Sequence, residues 1–102
     1  MFRVVSKKTT TKIAAEWDAL ARIRYEQIAT GIDVTYSQVL VPVMREIAEK
    51  QAATSVLDAG CGTGVLTGAL GSHGRIVVGI DPSAKSIAVA KDHFGDVANF
   101  QV

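Results

Sequence analysis

Apolar residues recur along this chain in two rhythms, and the change of rhythm divides it. From Lys12 to about Ala29, the residues Ile13, Trp17, Leu20, Ala21 and Ile28 fall near the spacing of one helix face, which predicts a helix stopped by Thr30-Gly31. Trp17, an aromatic on an amphipathic helix, is expected in the core. Gly31 to Ser37 reads as a connection with turn and cap residues, Asp33 and Thr35 among them. The cleanest helical period follows in Val39, Leu40, Val43, Met44, Ile47 and Ala48, and Glu49, Lys50 and Gln51 close it. Pro42 lies inside that pattern, so the regular helix begins near Pro42 or is kinked there. Ahead of these elements, Met1 to Thr11 is short, polar and basic. Thr9-Thr10-Thr11 disfavours helix, and a mobile arm is expected.

Beyond Ala53 the rhythm becomes β-α-β-α-β. Ser55 to Asp58 is the first strand, and Gly64 to Leu70 the first crossover helix, closed by Gly71. Gly71-Ser72-His73-Gly74 is turn chemistry. Arg75 to Ile80 holds the continuous apolar run Ile76-Val77-Val78, as suits a parallel strand covered on both faces. Ser83 to His93 is the second crossover helix, with Ile87, Ala90 and Phe94 facing inward, and Ala98 to Val102 opens a third strand. The fold class is therefore α/β with a parallel sheet, preceded by two helices. Residues 1–11 form the arm, 12–52 a helical segment and 53–102 the sheet-forming part.

The chemistry gathers at the end of the first strand. Asp58 is followed by glycines at every second position, Gly60, Gly62 and Gly64, and then by a helical pattern. A strand, a tight glycine turn and a helix start bring bare backbone against a ligand, with the N–H groups of the helix N-terminus beneath. The dinucleotide fingerprint G-x-G-x-x-G does not fit, because its third glycine would fall at Val65. A phosphate-binding loop does not fit either, since no lysine follows. The second strand ends in Asp81-Pro82-Ser83, an acid where nucleoside-binding α/β folds accept ribose hydroxyls. The same three residues also make a good helix start.

The run Val56-Leu57-Asp58-Ala59-Gly60-Cys61-Gly62-Thr63-Gly64 resembles the first motif of class I S-adenosylmethionine-dependent methyltransferases. Val78-Gly79-Ile80-Asp81-Pro82-Ser83 resembles their acidic motif after the second strand. The resemblance covers roughly Ala53 to the end. It implies a Rossmann-like doubly wound sheet and S-adenosylmethionine as cofactor. The cofactor-binding positions it implies are Asp58, Ala59, Gly60, Cys61, Gly62, Gly64, Asp81 and Pro82. Under it Asp58 holds the ligand's ammonium, directly or through water, or else bonds only loop N–H groups. Asp81 accepts the ribose hydroxyls, and Pro82 offers adenine an apolar edge. It also implies an N-terminal segment folded over the cofactor, with Tyr25 or Tyr36 as lid residues. No catalytic residue is named, because the sulfonium carries the hard chemistry and the protein chiefly aligns donor and acceptor.

Composition narrows the partners. A net charge of +1 with scattered acids and bases gives no footprint for nucleic acid, and Arg3, Lys7, Lys8 and Lys12 read as a solvated cluster. No apolar run is long enough for a bilayer, and one cysteine cannot form an internal disulfide, which suits a soluble cytoplasmic protein. Cys61 reads as a small residue packed in the turn, and His73 and His93 as surface or capping residues. No metal-ligand spacing is present. The expected acceptor is a small molecule; a non-catalytic interaction or regulatory module is the alternative. The resembled domain has about seven strands and 102 residues supply three, so a truncated chain or fragment is expected. Right-handed crossovers put both internal helices on one sheet face. The other face then lies bare unless a homodimer forms through it or the Lys12–Ala29 helix refolds across it.

Overall fold

The computed structural model describes residues 7–102. Most of the expected arm, positions 1–6, lies outside the described residues. Its last residues start a helix instead of delaying one: α1 spans Thr10–Ala29, and the Thr9 side chain accepts a hydrogen bond from the Lys12 N–H at 3.1 Å. The threonine run was expected to oppose helix. β-branched threonine is a weak residue inside a helix but a good one at its N-cap, and there the hydroxyl decides.

A π-helical turn at Tyr36–Leu40 runs directly into α2, Val41–Lys50. Pro42 is the second residue of α2, where the sequence placed the start of regular helix. The Val41 N–H reaches back to the Tyr36 carbonyl, five residues away. Pro42 has no N–H to give, and its ring would press on the carbonyl four residues back, so a wide turn just before it relieves both problems. Asp33 behaves as turn chemistry should, its carboxylate accepting the Thr35 N–H at 3.0 Å. The strong period of α2 buries only part of its stripe. Ala48 is buried and Met44 packs on the core, whereas Val43 and Ile47, and Val39 in the π turn before them, are exposed.

Three parallel strands follow, β1 (Ser55–Ala59), β2 (Ile76–Ile80) and β3 (Asn99–Gln101), side by side in the order β1-β2-β3. Helix α3 (Val65–Gly71) connects the first two strands and α4 (Ala84–Phe94) the second and third. This is half of a doubly wound sheet, as the rhythm of the second half of the chain predicts. Both helices lie on one face, since Leu70 of α3 and Ile87 and Ala90 of α4 share a single buried cluster with Val77 and Phe100 of the sheet. Packing there is close. A side chain on Gly68 would run into the Phe94 ring, and one on Gly71 into the Val97 carbonyl.

On the opposite face, register places Leu57 beside Val78, and Leu57 and Ile76 are 64% and 68% exposed. Refolding of the first helix across that face is overturned. Helix α1 packs on α4, burying Ala21 in the seam. A small residue and a capping carboxylate, described below, fit α1 to α4 rather than to a flat apolar sheet.

Candidate functional site

The glycine turn after β1 is fastened to the neighbouring strand. The N–H groups of Gly60 and Cys61 both donate to the Ile80 carbonyl, at 2.8 and 3.0 Å. The Gly62 N–H donates to Asp81 Oδ2 and the Ser83 N–H to Asp81 Oδ1, each at 2.9 Å. Asp81 thus ties the turn to the start of α4. Gly62 sits at φ +56°, and a Cβ there, as at Gly60, would meet nothing within 4 Å. Gly64, at φ +85°, differs: a Cβ would stand 2.9 Å from Ala90 Cβ and from the Phe100 ring. The first two glycines open space for a ligand, and the third closes helix packing.

The open space is a cavity of about 390 Å³, within the range of small-molecule sites. Gly60, Gly62 and Thr63 floor it, and Asp81, Pro82 and Ser86 form a wall. Ile13, Trp17, Arg24 and Ile28 of α1 and Tyr36 of the π turn roof it. A second hollow of about 330 Å³ is bounded by Gly60, Ile80, Asp81, Pro82 and Val102. Asp81 therefore stands where the two lobes meet.

The roof is held at both ends. Asp18 of α1 accepts the Ser83 hydroxyl at 2.6 Å and the Lys85 N–H at 3.0 Å. These bonds hold the Asp18 carboxyl below its ordinary range. Ser83 is itself the N-cap of α4, its hydroxyl accepting the Ser86 N–H. At the far end Arg24 pairs with Asp33 at 2.6 Å and lies over the Tyr36 ring, 5.7 Å from its centre. The Arg24 bond, and then that from the Thr35 N–H, lower Asp33 likewise.

Behind the turn, Asp58 is half-buried and accepts the Thr67 hydroxyl at 2.8 Å. Burial pushes its carboxyl up, the Thr67 bond draws it back, and the nearby Asp81 charge pushes it up again. Burial first, then Asp58 and Asp81, push the Cys61 thiol up to about 12, so it is no nucleophile. Among the described residues no group of three or more His, Cys, Asp or Glu could hold a metal ion, and no helix is long and apolar enough to cross a membrane.

Of the residues singled out in the sequence, Gly60, Gly62, Asp81 and Pro82 line the cleft together. Asp58, Ala59, Cys61 and Gly64 are not among its lining residues. Three expectations change. Trp17 is 48% exposed and lies in the roof, not the core, because the seam with α4 is made by the adjoining face of α1, through Asp18 and Ala21. Tyr25 is no lid residue: it stacks on His93, with ring centres 4.0 Å apart, whereas Tyr36 does line the cleft. Among the described residues Asp58 takes no loop N–H; its partner is Thr67, and the loop N–H belongs to Asp81. Thr63, Ser86 and Arg24 were not foreseen. The spacing of Ile13, Trp17, Arg24 and Ile28, one helix face, was the available signal.

Residues 56–102 match the family model described as a methyltransferase domain. Over 55 residues the chain is 47% identical to a ubiquinone biosynthesis O-methyltransferase of Coxiella burnetii, a match covering 51% of this chain and 24% of that protein. A TehB-like SAM-dependent methyltransferase from Corynebacterium glutamicum superposes with a TM-score of 0.63 at 28% identity, over 86% of this chain and 45% of that one. The magnesium protoporphyrin IX methyltransferase of Synechocystis, solved with bound SAM, gives a TM-score of 0.74 at 22% identity, over 97% and 56% of the two chains. At that identity the likeness is one of fold. The chain thus spans about a quarter of the curated relative and about half of each solved methyltransferase.

Proposed function

We propose that the cleft binds S-adenosylmethionine and that the chain supplies the cofactor-binding part of a methyltransferase acting on a small-molecule acceptor in the cytoplasm. The observation that carries this reading is the position of Asp81 at the junction of two lobes, facing a turn whose glycines leave their Cβ positions open. A ligand with a sugar between an adenine and an amino-acid end matches that layout. Pro82, Ile80 and Val102 suit the flat base, and the glycine turn with the α1 roof suits the other end.

When bound, the cofactor supplies a methyl group already activated on a sulfonium. The chain's own residues do the rest. Asp81 has lone pairs beyond the two engaged by Gly62 and Ser83 and can accept sugar hydroxyls. Asp58, close behind the turn, favours a cationic amine on the ligand, whose charge would in turn favour its ionised form. Ile13, Trp17, Ile28 and Tyr36 cover the cleft and keep water from the transfer. The acceptor is proposed as a small molecule because the Coxiella relative is named for ubiquinone biosynthesis.

Calorimetric titration with S-adenosylhomocysteine should show one site. Its 2′-deoxyribose analogue should bind at least about tenfold more weakly, as expected when a hydrogen bond to a charged acceptor is lost. Equal affinities for the two would remove the sugar-binding role of Asp81; absence of heat with either would remove the cofactor.

A further inference from the structure

Two hollows follow the seam between α1 and α4, one of about 340 Å³ and one of about 240 Å³. Arg22 and Val89 border both, so the two form one groove, and none of the residues that line the cleft borders it. The helices run in the same direction along it, because Asp18 bonds Ser83 at one end and Tyr25 stacks on His93 at the other. Ala21, Ala88 and Val89 give the groove an apolar lining. Its charges are ordered along its length. Lys85 stands in the first hollow, Arg22 between the two, and Glu26 and Asp92 in the second. Among the described residues none of these four forms an ion pair. Asp18, in the first hollow, is already engaged by the Ser83 hydroxyl and the Lys85 N–H.

We propose that a second copy of this chain docks in the groove, turned end for end about a two-fold axis near Ala88. In such a contact residue i meets j and j meets i. Lys85 and Asp92 share one face of α4, about 10 Å apart along its axis, with Ala88 between them. Reversal about Ala88 brings Lys85 of each copy to Asp92 of the other and turns each Arg22 toward the partner's Glu26. Cations followed by acids along a groove are complementary to the same groove reversed, so the surface fits its own copy. The small side chain of Ala88 lets the two α4 helices cross closely. Helix α1 has 20 residues and α4 has 11, so at about 10 Å of width each they offer roughly 500 Å² per copy. That area suits a weak, exchanging dimer and not an obligate one. Nothing in this contact depends on which ligand fills the cleft.

Sedimentation equilibrium of the full chain tests this, in a Leu57→Lys background so that the bare sheet face does not add to association. A monomer–dimer equilibrium in the micromolar range is expected. Lys85→Glu and Asp92→Lys each set like charges together at two symmetric points, and each should weaken the dimer by at least about tenfold. Combining the two exchanges the charges and should restore it. Ala88→Cys should form a disulfide between copies on mild oxidation, which the buried native Cys61 should not. Circular dichroism and Trp17 emission check that each variant keeps its fold and its roof. Asp92→Lys lies two turns from the Asp18 clasp, so a loss of association there does not come from a lifted α1. A monomer at every concentration overturns the proposal. So do single variants that associate like the parent, a double variant as weak as the singles, or an Ala88→Cys chain that does not cross-link.

Discussion

Gly62 and Gly64 share a left-handed backbone but differ in what surrounds them, and that difference separates function from folding. Gly62→Ala places a methyl group in the open cleft, so its stability cost is the backbone term alone, about 1–2 kcal/mol. Gly64→Ala adds a clash with Ala90 and Phe100, and about 2–5 kcal/mol is expected. Urea midpoints would rank the two, and S-adenosylhomocysteine titration of the milder variant should show the larger relative loss of binding. Asp58 yields a pH prediction. Its carboxyl is raised in the fold, chiefly by burial, so the proton is held more tightly folded than unfolded. Such a group stabilises the fold below its unfolded value, about 3.9 for aspartate, and that contribution disappears as pH climbs through the raised folded value. Stability measured relative to Asp58→Asn should therefore decline as pH rises above the ordinary aspartate value. Parallel curves for the two proteins would contradict this. At this scale the sequence marked the strand–turn–helix by its spacing, and of the residues it singled out Gly60, Gly62, Asp81 and Pro82 line the cleft whereas Asp58 and Gly64 do not. It could not tell Gly64 from Gly62, since their difference lies in Ala90 and Phe100, which are distant in sequence.

Helix α1 has two working sides. One is stapled to α4 through Asp18 and Ser83, and the other hangs Ile13, Trp17 and Ile28 over the cleft. Asp18→Ala removes the acceptor for the Ser83 hydroxyl and the Lys85 N–H, so α1 should lift and Trp17 emission should move toward that of free indole. Binding in the main lobe should weaken while the sheet remains folded by circular dichroism. Because these bonds lower the Asp18 carboxyl, its contribution is present above the unfolded value and is lost as pH falls through the lower folded one. The unmodified protein should show the same Trp17 change only on acidification below about pH 3.9, whereas Asp18→Asn should show part of it at neutral pH. Helix α1 itself was legible from its period. Its role was not, because a helix facing a core and a helix facing a cleft carry the same apolar spacing. The π turn was hidden for a related reason: Pro42 announces a helix start but not how the preceding turn accommodates the missing donor.

Among the described residues the parallel sheet is covered on one side only. Ile87→Ala empties a site in the shared cluster and should cost about 2–5 kcal/mol. Leu57→Lys changes an exposed residue on the other side and should alter stability by no more than about 0.5 kcal/mol. It should, however, reduce concentration-dependent association measured by sedimentation, since exposed apolar surface at Leu57 and Ile76 favours contact between molecules. The succession of strands and helices and the placement of both crossover helices on one face followed from the apolar rhythm and the handedness of parallel connections. The docking of α1 did not, because it depends on a carboxylate meeting a hydroxyl that no periodicity relates. That bond joins residues 65 positions apart, Asp18 and Ser83. During synthesis at about 5–20 residues per second, the roof helix leaves the ribosome roughly 3–13 s before the residue that will secure it. Over that interval Ile13, Trp17, Leu20 and Ile23 travel together on an undocked nascent segment, a natural target for chaperones that shelter emerging polypeptides.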